Sequence, residues 1–225
     1  GRSPEGHVAL QAHGDPIRFR NVRVRDFRSP AWRSADLLRD AAGAPSLARW
    51  THHLVEPAAP SDVWTLEDGI LSCEGRPIGY LRTTEDFEDF VLQLDWRFDP
   101  ARGVGNSGVL VRMVGEDTVW PRSVEAQLMS GRAGDFWNIG EFPMTTDPAR
   151  TSGRNTRHRF ANERPPGAWN HYEIVVDGGT VRLLVNGEEL NVATDVERVP
   201  GKVCLQSEGA FIQFRHVRLR PIERD

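Results

Sequence analysis

Cysteine is nearly absent from this chain of 225 residues: only Cys73 and Cys204 occur. Two cysteines define no disulfide framework, so the fold must rest on an apolar core. Two free buried thiols and a single bridge both remain open. No apolar run approaches the roughly 18–20 residues that cross a bilayer, so no membrane span is expected. A basic excess is lacking too. The 28 Lys and Arg are outnumbered by 32 Asp and Glu, giving a formal net charge of −4, which excludes general nucleic-acid binding through a basic face. The chain opens on Gly1 with no charged-then-apolar leader, so any signal peptide is expected to be already removed or to lie outside this sequence. The 7 histidines offer no His-x-His or His-Glu-x-x-His spacing, and the adjacent His52 and His53 diverge on a strand. No cofactor and no metal ligands are indicated, while a divalent metal held by residues distant in sequence stays open. Phosphate loops, dinucleotide fingerprints and serine nucleophile elbows are missing as well.

What the chain has is period-two alternation. Its 39% hydrophobic and 27% charged residues are those of an ordinary globular protein. In FVLQLDWRF (90–98), Leu92, Leu94, Trp96 and Phe98 share one face, with Gln93, Asp95 and Arg97 on the other. SVEAQLM (123–129) alternates Val124, Ala126 and Leu128 against Glu125, Gln127 and Met129. Hairpin turns are expected at Asp68-Gly69, at Asp177-Gly178-Gly179 and at Asn186-Gly187. Helical periodicity surfaces weakly, at 34–42 alone. The pattern predicts an all-β fold, an antiparallel β-sandwich.

The two ends of the chain resemble each other. Residues 6–27 align with 201–222 at a constant offset of 195, and Gly6, Leu10, Gln11, Phe19, Arg20 and Val22 are among the residues that recur. In both copies the alternation slips by one residue between the Phe and the following Val, which predicts a β-bulge near Asn21 and another near His216. Arg18, Arg20, Arg23 and Arg25 fit the solvated face of a bent strand better than a nucleic-acid arm.

The segments WTLEDGIL, FEDFVLQLDWRF, GNSGVLVR, VEAQL, GAWNHYEIVVDGGTVRLLVNG and GKVCLQSEGAFIQFRHVRLRPI, in that order, resemble the 3-keto-disaccharide hydrolase family over about residues 46–222. The resemblance implies a jelly-roll sandwich of the concanavalin A-like lectin and glucanase type. It makes 46–225 the complete domain and 28–45 a linker. Residues 1–27 then look like the last strands of a preceding related domain, with extra strands of the same sandwich as the other reading. Their unpaired edges would be met by a tandem neighbour or by strand exchange in a homo-oligomer. His13 stands where the second copy has Glu208. Export to the periplasm or the extracellular space is implied by the family only.

In such a sandwich the cleft is formed by outward polar side chains of one sheet. Glu125 and Gln127 share a face of VEAQL, and Gln206 and Glu208 share one of CLQSEG. By the same parity Arg112 joins Gly108 and Leu110, and Gly108 leaves room for a close approach. Glu125 and Arg112 also suit a plain cross-strand ion pair, and Glu208 before Gly209 also suits a turn. Asn106 before Ser107-Gly108, and Asn170 beside Trp169, suit loop-holding as well as ligand contact. Trp120, Trp137 and Trp169 fall in loop-like stretches, one of them expected to stack on a sugar. His158 sits in a polar, Pro-rich loop suited to closing over a cleft.

The resemblance implies a carbohydrate substrate, a glycoside oxidised at C3. The ketone acidifies the C2 hydrogen, and its removal expels the C1 substituent. Glu125 would act as base or acid, Arg112 would stabilise the enolate, and Glu208 would carry the second proton. Gln127, Asn106, Trp137, Trp169, Asn170, Gln206 and His158 would hold the substrate. Direct hydrolysis by two carboxylates is the other route. A non-catalytic carbohydrate-binding module is the alternative function, and an interaction domain is a third.

Overall fold

The computed structural model describes residues 35–223, so the first copy of the repeat, with the bulge expected near Asn21, lies outside the described residues. Within them are sixteen strands in two antiparallel sheets. In chain order they begin with β1 (Ala35–Asp36), β2 (Trp50–Leu54), β3 (Trp64–Glu67), β4 (Ile70–Cys73), β5 (Gly79–Thr83) and β6 (Phe90–Phe98). Next come β7 (Gly108–Met113), β8 (Ser123–Gln127), β9 (Phe136–Ile139), β10 (Thr151–Ser152) and β11 (Asn155–Thr156). The last are β12 (Asn170–Asp177), β13 (Thr180–Val185), β14 (Glu188–Ala193), β15 (Lys202–Ser207) and β16 (Ile212–Pro221). One sheet runs β14-β13-β12-β6-β16-β4-β3, with β1 added beside β16. The other runs β10-β11-β9-β8-β7-β15-β5-β2.

The alternation seen in the sequence builds the core. Leu92, Leu94 and Trp96 of β6 are fully buried while Gln93, Asp95 and Arg97 face outward. Val109, Val111, Val124, Ala126 and Leu205 of the second sheet join them in one apolar cluster. Each large side chain so buried contributes about 1.5–3 kcal/mol. Asp68-Gly69 (φ 50° and 77°) and Asn186-Gly187 (φ 50° and 87°) close the β3–β4 and β13–β14 hairpins in the left-handed pairs that two-residue turns require. The bulge expected near His216 is present: the β16–β6 register shifts between Arg215 and Arg218, and His216 has φ 52°. Phe214, Val217 and Leu219 are therefore all buried.

The weak helical periodicity of 34–42 yields no helix over the described residues 35–42. Ala35 and Asp36 pair with Leu219 and Arg218, and Leu37 N donates to Val217 O at 2.7 Å. Asp36 and Asp40 accept from backbone amides nearby, offering the chain turns in place of a helical ladder. Leu37 and Leu38 are buried, and Trp50 Nε1 donates to Leu37 O. The described part of the expected linker thus packs on the sandwich. Cys73 and Cys204 are free and buried, and burial pushes the Cys73 thiol up to about 11.

Candidate functional site

The outer face of the sheet that holds β7, β8, β9 and β15 carries a pocket of about 330 Å³. All five residues of β8 are buried, yet they divide by parity: Val124 and Ala126 enter the core, while Glu125 and Gln127 line the pocket. Across the ladders, Glu125 lies opposite Leu110 on one side and Trp137 on the other, and Gln127 lies opposite Gly108. Asn106 bridges to Glu208 and Gly209, which closes the pocket at the end of β15.

Gly108 decides the shape of the floor. A Cβ placed there would stand 2.0 Å from Gln206 Oε1 and 2.5 Å from Glu125 Oε1, so both side chains crowd over its bare Cα. Neither oxygen has a hydrogen-bond partner within the protein, and neither do Asn106 Oδ1 and Glu208 Oε2. Leaving one buried acceptor unmet costs about 1–3 kcal/mol. Three of the four belong to Asn106, Glu125 and Glu208, which line the pocket, and together they call for a donor-rich ligand.

The two carboxylates bind protons unusually well. Burial, and then the charge of Glu208, raise the Glu125 carboxyl well above its ordinary range. Burial raises Glu208 to about 7, against the opposing pull of a hydrogen bond from Asn106. Like charges in one low-dielectric pocket resist joint ionisation, so the pair keeps a proton near neutrality. Gln127 Oε1 accepts from the amides of Leu128 and Met129, both at 2.8 Å, so its NH₂ is the end left for the pocket.

The walls include side chains that strand parity does not select. Trp120, 45% exposed, and Met129 line the pocket together with Trp137, Ile139 and Arg154. Arg154 comes from the β10–β11 turn, anchored where its carbonyl accepts from Asn138 N at 2.8 Å. Its side chain makes no ion pair among the described residues. Trp137 lies in β9 rather than in a loop.

Other expected members lie elsewhere. Arg112 does not reach the pocket. It has φ 51° where the β15–β7 register shifts, so its side chain turns off the Gly108–Leu110 face. There it donates to Val199 O at 2.9 Å and Gly178 O at 2.6 Å, with Asp89 at 3.6 Å, and it is fully buried. Trp169 stacks between Arg97 and Arg215, with guanidinium carbons 4.5 and 4.1 Å from its ring, beside the outer face of the other sheet. Asn170 Oδ1 is occupied by Arg164 N and Asn186 Nδ2. His158 Nδ1 sits 2.7 Å from buried Asp135, which also accepts from Arg132, so this histidine pins its loop. Among the described residues no three His, Cys, Asp or Glu side chains group as metal ligands.

Residues 38–220 match the family described as the 3-keto-alpha-glucoside-1,2-lyase-like domain. No curated protein matches in sequence. Among solved structures, a candidate glycosyl hydrolase from Parabacteroides distasonis is 20% identical with a TM-score of 0.61, over 84% of this chain and 94% of its own. The carbohydrate-binding module CBM66 from Bacillus subtilis is 12% identical, TM-score 0.56, over 76% and 95%. A Bacillus licheniformis β-glucanase is 10% identical, TM-score 0.51, over 78% and 92%. Likenesses this distant speak for the fold, the concanavalin A-like jelly-roll sandwich, and the binding module and the glucanase show that binders and catalysts share it.

Proposed function

The chain belongs to the 3-keto-alpha-glucoside-1,2-lyase-like family, and from that premise we propose that its pocket cleaves the glycosidic bond of 3-keto-glycosides. The observation that carries this reading is the pair Glu125 and Glu208, two carboxyls with raised proton affinity in one acceptor-rich pocket. Environments that separate two carboxyls in this way define an acid and a base. Glu208, titrating near neutrality, is the base that takes the C2 proton, and the C–H electron pair flows into an enolate on the C3 oxygen. Glu125, held protonated, gives its proton to the leaving oxygen as the C1–O bond breaks. Water can then add to the resulting enone. Arg154 and the Gln127 amide take the place expected of Arg112, as the donors available to the enolate oxygen. Trp120 and Trp137 offer faces on which a sugar ring stacks. Asn106, with its unmet oxygen, accepts from a sugar hydroxyl, while Gln206 lies over Gly108 beside Glu125 and does not line the pocket.

Incubating the protein with a 3-keto glucoside in deuterated water tests this. Cleavage with deuterium at C2, lost in Glu208→Gln, is the expected result. Cleavage without C2 exchange would replace elimination by direct hydrolysis between paired carboxylates. Saturable binding of unoxidised sugars with no turnover would make the pocket that of a carbohydrate-binding module, the reading favoured by the exposed Trp120 beside Trp137. Among the described residues no helix is long and apolar enough to cross a membrane. Export belongs to this proposal on family grounds alone.

A further inference from the structure

A second cavity, of about 290 Å³, is lined by Val55, Glu56, Arg76, Pro77, Ile78 and Val119. No residue lines both cavities, but their linings are neighbours at two points. Val119 lines the second cavity and its neighbour Trp120 the first. On the other side, Pro77 O accepts from Ser207 Oγ at 2.8 Å, and the next residue is Glu208. The β7–β8 loop that borders both is held in place. Asp117, in the same β7–β8 loop, is gripped by Arg82 through Nε and Nη2, both at 2.9 Å, and by the Tyr80 hydroxyl at 2.9 Å. The floor is tied as well, since Val55 N donates to Ile78 O at 2.9 Å.

The apolar surface of the molecule gathers here. Five large hydrophobic side chains are exposed among the described residues, and three of them, Val55, Trp120 and Met129, line these two cavities. Exposed apolar side chains concentrated in one cleft mark a binding surface. Breaking a glycoside requires room for two groups, the sugar and what leaves it, with the acid and base between them. The first cavity has the polar partners that a sugar needs. The second has Val55, Pro77, Ile78 and Val119 as its body, and only Arg76 and Glu56 as charges, both exposed. A second sugar there would leave hydroxyls unmet, at a cost. A flat ring between aliphatic walls loses nothing, and a guanidinium over its face adds attraction. The volume is ample, since a cavity of about 150 Å³ already holds benzene.

We propose that this second cavity is the leaving-group subsite and that it takes the aromatic aglycone of an aryl 3-keto-glucoside. This rests on the 3-keto-glycoside reading of the neighbouring pocket. The test compares wild type with Val119→Asp and Val55→Asp, neither of which carries chemistry, on 4-nitrophenyl and methyl 3-keto-glucosides and on a 3-keto-disaccharide. The aryl substrate should lose about tenfold or more in kcat/KM in each variant while the other two change less than about twofold, the scale on which hydrophobic pockets discriminate. Equal losses on all three, no loss on any, or a disaccharide hit as hard as the aryl glycoside would overturn the proposal. Should wild type turn over none of them, the 3-keto reading fails and the subsite is judged by calorimetry with the unoxidised 4-nitrophenyl and methyl glucosides. Aryl-selective binding that Val119→Asp removes would still establish it. Binding without selectivity, or no binding, would end it.

Discussion

Glu208 keeps its proton to about pH 7 because burial withholds water from the carboxylate, and the hydrogen bond from Asn106 only partly compensates. As the proposed base it must be ionised to act, so kcat/KM should rise about tenfold per pH unit up to about pH 7 and then level. Glu208→Gln should lose this limb along with roughly 10²–10⁴ of the rate, the span of general acid–base catalysis. A pH–rate profile of both proteins decides it. The same shift acts on stability. Below pH 4.5 the folded and unfolded carboxyls are both protonated and Glu208 contributes nothing. From there to about pH 7 the unfolded chain ionises first, so stability falls as pH rises, by about 3 kcal/mol in all, and is flat above. Glu208→Gln should therefore be more stable than wild type at pH 8 and equal to it at pH 4, measured by urea unfolding. Gly108→Ala probes the floor in another way. Its methyl would meet the far ends of Gln206 and Glu125, which can swing aside, so the fold should survive while the carboxyl moves. A displacement of about 1 Å is enough to remove about 10²-fold in kcat/KM at nearly unchanged Tm.

At the scale of elements, the two bulges show what strand patterns can and cannot reveal. In β16, Phe214 and Val217 are of opposite parity, so the sequence itself demands a slip, and His216 supplies it. In β7 the slip falls between Val111 and Met113, and an apolar Met suits either face, so nothing in the pattern marks it. Arg112 was therefore expected beside Glu125 and instead braces the loops that carry Gly178 and Val199. Its removal should be a folding defect. Arg112→Ala strands two carbonyls, at about 1–3 kcal/mol each, and leaves Asp89 to Arg198, 3.8 Å away. That corresponds to a fall in Tm of roughly 5–20 °C. The pH profile of the molecules that stay folded should match wild type. A wild-type Tm with lost catalysis would instead return Arg112 to the chemistry. β9 is hidden for a related reason: FWNI is four residues long between Asp135 and Gly140, too short for alternation to register.

Over the whole molecule, the legible part of the site is its floor and the illegible part its rim. Glu125, Gln127, Gln206 and Glu208 follow from strand parity alone, because a side chain that does not enter the core must face outward. Arg154 and Trp120 arrive on turns whose course is set by distant anchors, Asn138 for one and Arg82 with Tyr80 for the other. The resemblance over about residues 46–222 sets 28–45 apart as a linker, and the chain over 35–45 carries no strand alternation to mark it otherwise. That stretch closes the sheet instead. It pairs with β16 beyond the His216 bulge, where β4 no longer reaches, and it seals Leu37, Leu38 and the Trp50 ring. A chain started at residue 46 loses these contacts, whereas one started at 35 keeps them. The burial of Leu37 and Leu38, which the shorter chain lacks, accounts for about 3–6 kcal/mol, set against a total stability of about 5–15 kcal/mol. The shorter chain should therefore unfold at much lower urea, or be recovered unfolded, while the longer one melts cooperatively. Equal urea midpoints would mean that the sandwich is complete without this edge, and that residues 35–45 are held by it without supporting it.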